Sequence, residues 1–273
     1  MTQPLVVLTY PGHFLLTALT IQSYLQHHNP CSITVIADDL SPHSWSDYLD
    51  HCQQQYNCKI VPTSSIPEAA AFANNHWIRQ QLVKLHLDLV LDTDCWFFTD
   101  GDVEYCSPVA YNTVPYSIVR GGQERILQDL YVSTMLGISN PGIRATHPDI
   151  DWTADHSDQV CVSNPPFRTM WSNVLEQLRG HIEQLHGESI ISIHQQLKHL
   201  MSEWELIANF QTHVLKQNIE LVYYPTVPLS LMYTRMPNQP DYCGTSYQGD
   251  SEFDINWWQQ KGIQDIRNRT NER

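Results

Sequence analysis

The chain has 273 residues, with 29 acidic and 15 basic side chains and a formal charge of −14. An acidic chain without a basic stripe does not follow a nucleic-acid backbone by charge, so a phosphate-bearing ligand would need a local cation, a helix N-terminus or a few placed basic groups. Hydrophobic residues make up 42%, enough to bury a core in one large domain, or one domain with a helical annex.

In chain order, PLVVLTY is a continuous apolar run closed by Pro11-Gly12 and predicts a buried strand. HFLLTALTIQSYLQHH has helical spacing and stops before Asn29-Pro30. CSITVIADDLSP predicts a second buried strand ending in Asp38 and Asp39, HSWSDYLDHCQQQY a helix, and CKIVPTS a third strand. Strand and helix alternate from the first residue, so the front half is expected to be a parallel α/β sheet covered on both faces. Such sheets bind ligands outside the carboxyl ends of their strands. That puts Thr9, Tyr10, Asp38 and Asp39 at a candidate binding edge, although each alone is more often an ordinary loop residue. A single glycine follows the first strand, so neither G-x-G-x-x-G nor a Walker A loop is present.

NNHWIRQQLVKLHLDLVLD predicts a helix capped by Asn74 or Asn75 and ending near Asp92. Ile78, Leu82, Leu85 and Leu89 form its core stripe, Arg79 and His86 flank that stripe, and Lys84 falls on the far face. CWFFT is then a buried strand, with Asp100-Gly101-Asp102 at its carboxyl end. YVSTMLGIS reads as a strand or a helix start, and residues 141–166 as a long loop. From RTMWSNVLEQLRGHIEQL to HVLKQ the period is helical, IELVYYPTVPLSL returns to strand, and INWWQQKGIQDIRNRTNER predicts a fraying helix.

Seven scattered cysteines without a C-x-x-C pair exclude a zinc ribbon and a dithiol redox motif and suit a reducing compartment. MTQPLVVLTYPGHF has no basic n-region, and no apolar stretch is long enough to span a bilayer. A cytoplasmic location is expected.

Asp100-Gly101-Asp102 has two readings. Asp-Gly between an apolar run and VEY is a strong hairpin signal. Two carboxylates one residue apart on a strand end can also reach one divalent cation, and the glycine between them lets backbone approach closely.

The run WIRQQLVKL, then DCWFFTDGDVEY, then SEWELIANF resembles a family of bacterial and phage proteins with the GT-A glycosyltransferase fold. Members carry an R-Q-Q-L-x-K-L helix, a strand ending in D-x-D, and a helix that starts S-E-Y-x-L-Y. The resemblance covers roughly residues 5 to 235 and selects Asp100-Gly101-Asp102, not Asp92-Thr93-Asp94, as the D-x-D. It implies a GT-A-like, Rossmann-type mixed sheet flanked by helices, in one catalytic domain. Residues 1–110 would form its nucleotide-binding half, 111–240 its acceptor half and 241–273 a tail.

The resemblance further implies that Asp102 ligates Mn²⁺ or Mg²⁺, and that Asp100 contacts the metal's waters, the ribose or the donor sugar. It implies that Arg79 reaches the donor, and that Thr9, Tyr10 and Asp38 line the nucleotide pocket. Glu203 is the candidate catalytic carboxylate, able to deprotonate an acceptor hydroxyl. A carboxylate in a first helical turn after Ser202 is equally explained by the helix dipole. Trp204 and Ile207 stand where the family has tyrosines. The C-terminal histidine that often completes the metal site is not evident. His213 reads as a structural helical residue, and Asp250, Glu252 and Asp254 are alternatives. Trp257-Trp258 is a candidate acceptor surface, and Arg235 a candidate diphosphate contact.

The expected activity is sugar transfer from a nucleotide-diphosphate donor, UDP-linked, to a carbohydrate acceptor. The alternatives are a nucleotide-sugar-binding protein without catalysis, and a metal-dependent phosphohydrolase of nucleotide diphosphates.

Overall fold

The computed structural model describes residues 2–9, 14–39, 46–72, 76–105, 108–120, 131–139, 159–162, 167–197, 203–223 and 230–232. The chain divides into two units. The first comprises Met1–Pro62, Phe97–Val109 and Thr226–Arg273, the second Thr63–Trp96 and Ala110–Pro225. Tyr10, the Asn74/Asn75 cap, Ser202, Arg235, the acidic residues at 250–254, Trp257-Trp258 and the C-terminal helix lie outside the described residues.

In the first unit, Leu5–Thr9 (β1) and Ile33–Ala37 (β2) are buried at every position, as aliphatic strands covered on both faces must be. Lys59–Pro62 (β3) and Cys95–Asp100 (β4) flank them in the order β3-β2-β1-β4. All three pairings are parallel, as expected. Parallel neighbours need crossovers, supplied between the first three strands by Phe14–His27 (α1) and Ser46–Tyr56 (α2). Tyr24 of α1 packs on Phe97 of β4, with ring centroids 5.4 Å apart.

Asp100-Gly101-Asp102 does not close a hairpin. The strand that follows, Val103–Tyr105 (β5), pairs antiparallel with Ser230–Met232 (β10). A polar stripe on α1 and the His28 that follows it receive the backbone of Gly101, Val103, Tyr105 and Val109. Thr17 Oγ1 lies 3.4 Å from Gly101 O, Thr20 Oγ1 accepts from Val103 N (3.1 Å), Ser23 Oγ from Tyr105 N (3.0 Å) and His28 Nε2 from Val109 N (3.0 Å). Positions 17, 20 and 23 recur every three residues and so share a helix face. Hydroxyls there satisfy backbone donors that burial would otherwise leave unpaired.

The second unit holds Pro67–Ala70 (α3), His76–Leu85 (α4), a helical turn over 131–136, and a small sheet. In that sheet Thr113–Arg120 (β6) lies between antiparallel Gln159–Val162 (β7) and parallel Glu220–Tyr223 (β9). Phe167–Trp171 (β8) leads directly into Ser172–His186 (α5), which ends on left-handed Gly187. Ile190–Leu197 (α6) and Glu203–Asn209 (α7) follow, and α7 runs on into a π-turn over Phe210–Val214 that contains His213.

Several expectations are corrected. FRTMW is a strand, and β7 interrupts the region read as loop. α4 stops at Leu85 instead of running toward Asp92, so Leu89 leaves the core stripe and is 52% exposed. The cause is side-chain competition for the last carbonyls. His86 Nδ1 bonds Leu82 O (2.8 Å), and Arg179 donates to Leu85 O (2.6 Å) while clamping both oxygens of Asp88 at 2.7 and 2.6 Å. Lys84 is not on an open face but buried.

The His194 ring lies 2.8 Å from the Tyr131 hydroxyl, and both side chains are buried. Burial lowers the His194 pKa to about 4, and burial lowers those of His86 and His28 as well. The unfolded chain therefore takes up protons near pH 6.5 that the native state refuses. Stability is complete above that pH and falls as the pH drops from 6.5 toward 4, with a His194 share on the order of 3 kcal/mol. Urea unfolding at pH 7.5 and 4.5 should show the loss, and His194→Gln should shrink it. An unchanged pH slope in that variant would refute the assignment.

Candidate active site

The strand register sets one edge of the first unit. Thr9 is paired with Ala37 and Leu8 with Asp100. The carboxyl ends of β1, β2 and β4 therefore lie side by side, with Thr9, Asp38 and Asp100 at neighbouring positions. Asp38 N donates to Thr9 O (3.0 Å) and Gly101 N to Leu8 O (2.8 Å), which carries the ladder one step beyond each strand. Thr17 Oγ1 donates to Thr9 Oγ1 at 2.6 Å, so the buried β1 hydroxyl is fixed from α1.

Gly101 is required by space. A Cβ there would stand 2.6 Å from Thr17 Oγ1 and 2.8 Å from Leu8 O, and the second of these is backbone that cannot give way. Gly101→Ala is therefore expected to cost about 1–3 kcal/mol by overpacking, and to move the two flanking carboxylates. A fall of several degrees in Tm by calorimetry checks the first part; an unchanged Tm would mean that the turn has room to yield.

Asp38 and Asp102 are buried, Asp100 is half-buried and Asp39 is exposed. Carboxylates on adjacent strand ends concentrate negative charge, and a cation relieves their repulsion. Among the described residues no group of three or more His, Cys, Asp or Glu is arranged to hold a metal ion. Asp100 and Asp102 offer two hard carboxylate oxygens at one strand end, the ligand type that Mg²⁺ and Mn²⁺ accept when water and ligand oxygens complete their shell.

Arg79 and Glu203 belong to the second unit. Arg79, expected at the margin of the core, is 1% exposed, and its Nη1 donates to Phe72 O (3.3 Å). Glu203 opens α7 and is buried, with Oε1 2.8 Å from Lys84 Nζ. The Gln81 amide, turned with its nitrogen inward, donates to the same carboxylate. Lys84 also lies 4.8 Å from the centroid of the Trp204 ring.

Sequence reasoning missed this charged centre. Arg168 of β8 donates to Trp204 O and to Gln211 Oε1, both at 3.1 Å, and its guanidinium carbon is 5.6 Å from the Trp204 ring centroid. Burial lowers its pKa to about 10, against the opposing pull of Glu205 and Glu203. Tyr131 titrates well above its usual range, first from burial and second from the Glu203 charge. One signal was available: Gln81 and Lys84 stand three apart in RQQLVKL, hence on one helix face, and both reach Glu203.

No family model matches the chain, and no curated protein matches it. Among solved structures it is similar to apo mouse xyloside xylosyltransferase 1, with 9% identity, TM-score 0.41, and 82% of this chain and 85% of that one covered. It is similar to the galactosyltransferase LgtC in complex with donor and acceptor sugar analogues, with 11% identity, TM-score 0.41, and 81% and 72% covered. A third is the inositol-1-phosphate CTP transferase from T. maritima, with 7% identity, TM-score 0.40, and 82% and 86% covered.

Proposed function

We propose that the chain is a metal-dependent glycosyltransferase that moves a sugar from a UDP-linked donor to a carbohydrate acceptor. The observation that carries this reading is Asp100-Gly101-Asp102 at the carboxyl end of β4, turned where no side chain fits at its centre, beside Thr9 and Asp38 on the neighbouring strand ends. An open α/β sheet takes its ligands at that edge, and an acidic protein that binds a diphosphate needs a cation there.

Asp102 and Asp100 would hold Mn²⁺ or Mg²⁺, which supplies charge stabilisation for a departing diphosphate. Asp38 and Thr9 would orient the nucleoside by hydrogen bonds, with the Thr9 hydroxyl already aligned by Thr17. Arg79 is assigned to the donor's phosphates or sugar, and Glu203 to the acceptor's proton. The ion pair with Lys84, whose ammonium stands against Oε1, makes Glu203 a weaker base, and opening that pair would raise its proton affinity.

Release of UDP from UDP-sugars in the presence of Mn²⁺ tests the proposal. No release and no metal-dependent UDP binding across the common donors would defeat it. The Lys84–Glu203 contact favours a second reading, a nucleotide-sugar-binding protein that does not turn over. UDP binding without release, with acceptors present, would select it. Among the described residues no helix is long and apolar enough to cross a membrane.

A further inference from the structure

A cavity lies wholly within the second unit. Its volume is about 400 Å³, and Asn112, Trp171, Asn173, Gln217 and Asn218 line it together with Val174 and Ile219. Four of these seven side chains are primary amides, one is an indole, and none is charged. In a chain of formal charge −14, a set of described lining residues without a single acid or base is chemically set apart.

Two local features hold the amides in place. Among the described residues, three that are not glycine have positive φ; one of them lines the cavity and a second directly precedes a lining residue. These two are Asn112 at 58° and Lys216 at 52°, the residue before Gln217. Backbone held in the left-handed region costs energy and persists where the surroundings over-determine it, often at binding sites. Asn112 is fixed further by its N–H on Thr169 Oγ1 (2.9 Å). Gln217 is fixed by a relay from the interior, in which Arg168 Nη2 donates to Gln211 Oε1 and Gln211 Nε2 donates to Gln217 Oε1 at 3.3 Å. With its oxygen committed, Gln217 has its NH₂ group to offer a ligand, which must accept there.

We infer that this cavity binds a neutral carbohydrate. An amide pairs a donor with an acceptor at the spacing of vicinal hydroxyls, and the Trp171 ring supplies a flat apolar surface for the C–H face of a sugar ring. The absence of charge among the described lining residues disfavours a nucleotide, a phosphosugar or a uronic acid, whose anionic group would find no cation to pair with there. About 400 Å³ suits one or two sugar rings. The inference requires neither the metal nor the nucleotide, and so it stands apart from the proposed transfer.

The test is saturation-transfer NMR on the full chain, without metal or nucleotide, using lactose, maltose and N,N′-diacetylchitobiose as probes. At least one should give signals, and Trp171→Ala should weaken its binding at least about tenfold. Because Trp171 is half-buried, Asn173→Ala and Gln217→Ala, both at exposed positions, serve as variants that keep the fold and should show the same loss. No signal from any probe, or a signal unchanged in the Asn173 and Gln217 variants, overturns the inference. Binding of UDP or glucuronate with loss in these same variants would overturn it too, because the cavity would then be a site for anions.

Discussion

Lys84→Met should lower the unfolding free energy by about 3–5 kcal/mol, the usual cost of stranding one partner of a buried ion pair. The ammonium of Lys84 is 2.8 Å from Glu203 Oε1, and the two side chains are 4% and 5% exposed. Removing it leaves a carboxylate that water cannot reach, in a pocket that also presses on Tyr131. The Gln81 amide bonds that carboxylate but cannot neutralise it. Urea unfolding monitored by circular dichroism gives the number. Adding Glu203→Gln to Lys84→Met should recover most of the loss, because a neutral pair has no stranded charge. If the single variant is as stable as the parent, the ion pair is not buried in solution. If the double variant recovers stability but not sugar transfer, Glu203 has a role beyond packing.

Asp102→Asn is the variant with the largest expected effect on activity. The amide keeps the shape of the buried side chain and removes its charge, so the fold should persist while Mn²⁺-dependent UDP binding falls roughly 100-fold or more and UDP release becomes undetectable. Calorimetric titration of UDP with and without Mn²⁺ separates a lost metal from a lost fold. Wild-type affinity in the variant, at unchanged metal dependence, would remove Asp102 from the site.

The sheet was legible in the sequence because its strands are buried on both faces: LVVLT, ITVIA and CWFFT are apolar but for one threonine each, and the carboxylates stand just beyond them. The edge carrying Thr9, Asp38 and Asp100 follows from parallel strand direction, which alternation with helices already implied, while the order of the strands did not show in the sequence. What escaped depends on partners distant in the chain. Periodicity put Lys84 opposite the core stripe, and it is buried because a carboxylate 119 residues later meets it. RTMW read as helix because a true helix follows it; its buried Arg168 is held by Trp204 and Gln211, which no local pattern contains. The hairpin reading of Asp100-Gly101-Asp102 stayed open in the sequence because that signal is local, whereas the partner of β5 is β10, at residues 230–232. The early end of α4 was hidden for the same reason, since Arg179 closes it from α5.

The hydroxyl row on α1 bears on the order in which the molecule assembles. The bonds from Thr20 to Val103 and from Ser23 to Tyr105 span 83 and 82 residues. Contacts of that separation require loop closure before they return any energy, and so they form late. The β4 strand can find β1 through hydrophobic collapse, yet the segment bearing both carboxylates has nowhere to dock until the first helix has been laid down with its Thr17–Thr20–Ser23 face inward. Acquisition of the acidic turn is thereby coupled to completion of the N-terminal third of the fold, and a chain that has collapsed without seating that helix would be compact yet lack an ordered Asp100-Gly101-Asp102 edge.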